Sequence, residues 1–224
     1  MDKNGRHELK YHINNLDYLQ LRTVLHSVAK PDINAAGGKN YIVRSLYFDN
    51  YTDKAVMEKL SGQSRREKFR LRLYNGDTSF IRLEKKSKKN KLTYKEGTNV
   101  TFEKCKELLA GDYSTLKISD NPLSMELYTK IRSQNLRPRN IVEYNREAYV
   151  YPAGNVRVTI DSQIKTSNNV AAFLNSKLIA IPAANTGVME IKYDGFLPDI
   201  MRGILQIDAR NQTEFSKYVA ARFV

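Results

Sequence analysis

The feature that most restricts this chain is a two-residue alternation, repeated in several segments, that puts Arg, Lys and Glu on one parity and apolar residues on the other. Successive side chains of a strand point to opposite faces, so parity sorts each segment into two sets. Over Gly5–Ile13, Arg6, Glu8 and Lys10 share one face, and His7, Leu9, Tyr11 and Ile13 share the other. Lys68, Arg70 and Arg72 oppose Phe69, Leu71 and Leu73, while Arg82, Glu84 and Lys86 oppose Ile81 and Leu83. Tyr144 and Arg146 fall together. Arg157, Thr159 and Asp161 oppose Val156, Val158 and Ile160, and Glu190 and Lys192 oppose Met189, Ile191 and Tyr193.

Alternation and β-branched or aromatic enrichment predict strands over 5–13, 41–49, 66–75, 79–87, 92–97, 140–151, 155–162 and 187–194. Helices are expected over 15–29, 52–61, 101–110, 122–135, 197–206 and 211–222. Asn15 and Thr101 read as caps, and Gly62 and Gly111 as stops. Gly37-Gly38 and Pro152–Asn155 read as turns, and 163–186 as a loop with a short helix near 170–175.

A single strand of this kind is usually half-buried, with its polar face in water. Repetition argues otherwise: several strands here carry paired cations with a carboxylate two residues away, not the usual Thr, Ser, Gln and Asn mixture. The six helices also need apolar surfaces to pack on, and the strands' apolar faces offer them. Helices outside leave the polar faces inside, and closing the sheet removes its edges. The expected fold is α+β: an eight-stranded antiparallel β-barrel with a polar lumen and helices packed outside, one domain over residues 1–224. A membrane barrel shares the pattern, but it has longer strands, aromatic girdles and no interleaved helices.

The inward set holds ten cations, Arg6, Lys10, Lys68, Arg70, Arg72, Arg82, Lys86, Arg146, Arg157 and Lys192, against Glu8, Glu84, Asp161 and Glu190. Confining that many like charges is unfavourable without a polyanion. The whole chain is also basic, with 37 Lys and Arg against 24 Asp and Glu, a net charge of +13. Arg forks match phosphate oxygens and Lys adds mobile charge. Some carboxylates then orient the cations, and one or two are free to hold a divalent ion. No Ser-His-Asp or Cys-His set and no Gly-rich phosphate loop is present, and His7, His12 and His26 lack metal-ligand spacing. Cys105 is the only cysteine, which excludes an intramolecular disulfide and fits a reducing cytoplasm. The sequence contains neither a signal peptide's apolar stretch nor a run long enough to span a membrane.

Eight segments, in order, resemble the VTC-type polyphosphate polymerase domains: Arg6–Tyr11, Ser45–Asp49, Lys68–Tyr74, Leu83–Lys86, Tyr144–Arg146, Val156–Asp161, Met189–Tyr193 and Glu214–Tyr218. The resemblance spans essentially the whole chain and implies a triphosphate tunnel fold. It further implies use of ATP and a divalent metal, Mn²⁺ or Mg²⁺, to extend polyphosphate with release of ADP. Carried over by position, Lys10, Arg70, Arg72, Lys86, Arg146 and Arg157 clamp phosphates in the reacting region. Arg6, Lys68, Arg82, Lys95, Lys192 and Lys217 bind substrate, with Lys217 reaching the tunnel mouth from the last helix, unless it is an ordinary exposed lysine. Glu190 and Glu8 are the expected metal ligands.

Hydrolases of this fold usually open with two glutamates and a lysine at alternate positions; here the first place holds Arg6, which favours the polymerase branch. The chain resembles stand-alone bacterial members, which leaves room for a membrane-protein partner at the inner face of the membrane. The Lys85–Lys91 run reads either as a solvated hairpin or as an exit path for product. A triphosphatase and a non-catalytic binder of polyphosphate are the competing functions. Nucleic acid is disfavoured because the alternation offers no exposed aromatic platform for bases.

Overall fold

The computed structural model describes residues 6–32, 40–89, 92–117 and 121–224. The expected Gly37-Gly38 turn, the first residue of the strand expected over 5–13, and Lys91 of the basic run lie outside the described residues. β1 (His7–Ile13) leads into α1 (Asn15–Val28), β2 (Lys30–Pro31), β3 (Tyr41–Asp49) and α2 (Lys54–Leu60). β4 (Arg65–Tyr74), β5 (Asp77–Lys89) and β6 (Leu92–Val100) form a meander, followed by α3 (Phe102–Ala110), α4 (Ser114–Lys117) and α5 (Pro122–Gln134). The long pair β7 (Arg137–Tyr151) and β8 (Val156–Ser167) precedes β9 (Ile181–Pro182), β10 (Gly187–Tyr193), α6 (Asp199–Ile204) and α7 (Lys217–Arg222).

Local chemistry sets several boundaries. Asn14, not Asn15, caps α1: its side chain accepts from the Asp17 amide while the Asp17 carboxylate accepts from the Asn14 amide, a reciprocal capping box. Thr101 caps α3, and Gly111 ends it in the left-handed conformation that costs glycine little. The 163–186 stretch holds more order than a loop. β8 continues to Ser167 through an irregularity at Gln163, whose φ is 51°, and a 3-10 turn spans Val170–Leu174. The helix expected over 211–222 begins only at Lys217, because Gln212 bridges Tyr11 and the Thr213 amide donates to the Lys10 carbonyl at 2.8 Å.

That last pairing bears on the architecture. All strand neighbours are antiparallel, in the order β1-β10-β8-β7-β3-β4-β5-β6, with β2 on β7 and β9 on β8 making a ten-stranded sheet. Among the described residues β1 and β6 do not pair, so the sheet is not closed there and the expected closed eight-stranded barrel is corrected to an open sheet. Backbone groups on the outer edge of β1 that closure would need are partly used by the Gln212–Thr213 segment. The sheet nonetheless curls far enough for Lys86 of β5 to donate to both carboxylate oxygens of Glu8 on β1, at 3.1 and 3.3 Å.

The apolar parity packs outward, as the alternation requires. Leu46, Phe48, Phe69, Leu71 and Leu83 meet Leu108 of α3 and Leu123, Leu127 and Ile131 of α5. Val158, Ile160, Met189 and Ile191 meet Leu21 and Leu25 of α1 and Met201 of α6. α7 is the exception to the expectation of helices outside. It packs with Tyr47, Val142 and Tyr144 through Tyr218 and Ala221, and the Tyr47 and Tyr218 rings stack at 4.7 Å. Three polar anchors hold it there: Tyr218 donates to Asp49, Arg222 grips both oxygens of Asp53, and Asn140 donates to the Ala221 carbonyl. No described helix is long and apolar enough to cross a membrane.

Candidate functional site: a cation-lined cavity

The concave face of the sheet encloses a cavity of about 730 Å³. β1 contributes Glu8 and Lys10, with Arg6 just before it; β4 contributes Lys68, Arg70 and Arg72; β5 contributes Arg82, Glu84 and Lys86. Lys95 enters from β6, Arg146 from β7, Arg157 from β8, Glu190 and Lys192 from β10, and Lys217 from α7. All ten cations of the expected inward set, with Lys95, Lys217, Glu8, Glu84 and Glu190, therefore reach one cavity, and Asp161 of that set lies behind its lining. Among its described lining residues, twelve cations face four carboxylates, the fourth being Glu96.

The carboxylates hold the cations in three groups. Glu84, only 1% exposed, accepts from Arg70 Nε at 2.8 Å and pairs with Lys95 at 2.6 Å and Arg72 at 3.7 Å. Burial opposes its ionisation, but the charges of Arg70, Arg72 and Lys95 overcome that and hold its carboxyl well below the usual range. Asp161, behind the lining, takes a bidentate fork from Arg146 at 2.6 and 2.7 Å and an ion pair from Lys217 at 2.6 Å. Its carboxyl is pulled down to about 2 against the cost of burial. Lys217 is thus no free surface lysine: it sits 4.9 Å from the Tyr144 ring centroid and ties α7 into the cavity. At the β1–β10 end, Lys10 stands 3.0 Å from Glu8 and 3.6 Å from Glu190, with Lys192 3.5 Å from Glu190.

Two lining cations turn outward for neutralisation. Arg6 pairs with Asp194 at 2.8 Å, and Arg157 with Asp32 at 2.7 Å. Lys68 has no ion-pair partner among the described residues; its ammonium lies 5.6 Å from the Tyr47 ring centroid. Burial drives its pKa down to about 7, and burial likewise lowers Lys86 to about 8 despite Glu8. Tyr47 moves the same way: burial opposes phenolate, yet Arg70, Lys68 and Arg72 pull the hydroxyl down to about 7. The two lysines shed protons first because of burial and then because of the neighbouring cations, Tyr47 because of the cations alone, and an anionic ligand would oppose the part due to charge.

Glu8 and Glu190 flank the same Lys10 ammonium. Burial and the Glu190 charge oppose ionisation of Glu8, while Lys86 and Lys10 favour it and leave its carboxyl lowered. Glu190 is also lowered, with Lys192 and Lys10 outweighing burial. Among the described residues no three His, Cys, Asp or Glu side chains converge as a complete metal cage. Two adjacent carboxylates still suit Mg²⁺ or Mn²⁺, hard cations that use one or two protein carboxylates and complete their coordination with water and phosphate oxygens.

Parity failed to flag Tyr41, Tyr47, Tyr74, Asn75, Phe80, Thr93, Glu96 and Gly97, all of which line the cavity. β3 is buried on both faces along most of its length, so alternation carries no signal at Tyr47. Phe80 could have been found, since it shares the parity of Arg82 and Glu84. The histidines stay structural: His7 stacks on Tyr193, and His26 meets Tyr149 edge-on. In the basic run, Lys85 points outward to Glu126 and Glu67, whereas Lys86 points in.

The sequence matches the VTC domain over residues 5–223. No curated protein matches it. Among solved structures, a Bacillus halodurans protein described as a candidate adenylate cyclase, bh2851, is similar with a TM-score of 0.58 and 13% identity, over 96% of each chain. The PH1819 protein of Pyrococcus horikoshii OT3 aligns over 97% of this chain and 98% of its own, at 14% identity and a TM-score of 0.49. The structural likeness speaks to fold; the family match spans nearly all of the sequence, and the chain belongs to the VTC domain family.

Proposed function

We propose that this chain is a metal-dependent phosphotransferase that passes the γ-phosphoryl group of ATP to the end of a growing polyphosphate chain. The observation that carries the reading is the lining itself, twelve cations against four carboxylates in one cavity of about 730 Å³. Such an excess suits a ligand with many closely spaced negative charges, bound through charge-assisted hydrogen bonds.

Phosphoryl transfer asks chiefly for positioning and for stabilisation of charge on the transferred group. Arg70, Arg72 and Arg146 are pre-oriented for this by Glu84 and Asp161, so little side-chain freedom is lost when phosphates arrive. Lys10, Lys86 and Arg157 complete the clamp, and Arg6, Lys68, Arg82, Lys95, Lys192 and Lys217 hold the flanking phosphates. In the reaction, a terminal chain oxygen forms a bond to the γ-phosphorus as the bond to the β,γ-bridging oxygen breaks, releasing ADP. The attacking oxygen is already anionic, so no general base is needed, consistent with a lining that has no histidine among the described residues. Lys68 and Lys86 gain full charge as phosphate oxygens approach them. A divalent ion held by Glu8 and Glu190 would supply further neutralisation of the phosphate oxygens.

The test is incubation of purified protein with ATP and Mn²⁺, followed by phosphorus NMR and a polyphosphate gel. Internal-phosphate signal growing with ADP supports the reading. Free phosphate without chains would replace it with a triphosphatase, and neither product would leave a binding protein.

A further inference from the structure

Phe80 stands out on the cavity-facing parity of β5. The positions after it on that face are Arg82, Glu84 and Lys86, yet Phe80 lines the same cavity and is 42% exposed. An apolar ring contributes nothing to phosphate binding, and an isolated exposed Phe needs no explanation. This one is not isolated. The Arg82 guanidinium carbon lies 6.0 Å from its ring centroid. Among the described residues Arg82 has no ion-pair partner, and its Nε is buried without a hydrogen bond. Across the strand pair, Gly97 provides a bare floor: a Cβ there would stand 2.9 Å from Arg82 Nη2, so glycine leaves the room the guanidinium occupies over β6.

Beside them, Asn75 sits in the left-handed conformation at φ 52°. Its Oδ1 accepts from the Ile42 amide at 2.9 Å, which fixes the side chain and leaves its amino group without a partner among the described residues. Tyr74 and Tyr41 line the same end, with ring centroids 6.0 Å apart. The group therefore combines an exposed ring, a guanidinium unpaired among the described residues and a fixed amide donor. Those are the elements that recognise a planar heteroaromatic base by stacking and edge hydrogen bonds.

We propose that the β4–β5 hairpin end of the cavity is a nucleobase site, where the base of the nucleotide donor stacks on Phe80 beside Arg82 and its phosphates run inward past Arg72 and Arg70. The proposal rests on the reading of the cavity as one that takes ATP. Alternate positions on a strand are about 7 Å apart, so Phe80, Arg82 and the deeper cations supply successive stations for base, sugar and phosphates. Arg72 is the direct cross-strand partner of Arg82, which places the phosphate clamp one step inward from the ring.

Calorimetric titration of ATP and of inorganic tripolyphosphate into wild-type, Phe80→Ala and Phe80→Tyr protein tests this. The ring's exposure makes both variants compatible with folding, which thermal melts check. Phe80→Ala is expected to weaken ATP roughly 5- to 150-fold, the range for losing one base–aromatic stack, and to leave tripolyphosphate unchanged. Phe80→Tyr retains ATP affinity. Equal loss for both ligands, or no loss for ATP, overturns the base site while the phosphate cavity stands. Wild-type protein that binds tripolyphosphate but not ATP overturns the base site and the ATP reading together. Binding of neither ligand removes the phosphate reading as well.

Discussion

Replacing Glu84 with Gln isolates the main internal counter-charge of the cavity. The carboxylate is 1% exposed and is the shared partner of Arg70, Arg72 and Lys95. Glutamine keeps the shape but leaves three cations facing one another, and breaking a buried pair in this way costs about 3–5 kcal/mol. For a domain of this size that lowers the melting temperature by roughly 6–20 °C. Urea and thermal unfolding followed by circular dichroism measure the change. The folded-state pKa of Glu84 is depressed, so its contribution is complete above the unfolded value of about 4.3 and fades as pH falls toward the folded value. The gap between wild type and variant therefore narrows in acid. Tripolyphosphate replaces the missing negative charge, so the variant binds it at least as tightly as wild type. At a concentration a hundredfold above Kd the ligand restores about 2.7 kcal/mol. A destabilisation below about 1 kcal/mol, or weaker tripolyphosphate binding by the variant, refutes the reasoning.

Neutralising Arg70 or Arg72 to Gln has the opposite effect on ligand: each loses charge-assisted hydrogen bonds worth about 1.5–3 kcal/mol, visible as weaker tripolyphosphate binding by calorimetry. Glu190→Gln abolishes metal-dependent turnover of ATP and largely keeps phosphate affinity; normal turnover in that variant rejects the metal assignment. The Tyr47–Lys68 pair gives a pH signature. Both groups have folded pKa values of about 7, below their unfolded ones, so the unfolded chain binds more protons between about 7 and 10 and stability of the free protein rises with pH there. Lys68→Met reduces that rise, and a melting temperature flat from pH 7 to 9 in wild type contradicts the coupling.

Much of this molecule was legible because a strand's period of two is a local property. Arg6, Glu8 and Lys10, or Arg82, Glu84 and Lys86, must share a face whatever the rest of the chain does. The apolar parity then had to meet helices, and Leu46, Phe69 and Leu83 do meet α3 and α5. The eight VTC-like segments, in order, named the family without reference to coordinates. What local periodicity cannot encode is which distant groups meet. Closure of the sheet was decided by competition for one strand edge, where Gln212 and Thr213 take backbone groups of β1. The same competition turned half of an expected helix into extended chain. Tyr47 was silent because its strand is buried on both faces, and only the convergence of Arg70, Lys68 and Arg72 around it changes its acidity. Parity placed Phe80 on the polar face, but its use, like that of Gly97, was not legible: an exposed ring and a missing side chain become a surface only when two strands bring them to the same guanidinium. Sequence sorted the side chains by face; the curl of the sheet set the distances between faces, and electrostatic and stacking interactions depend on those distances.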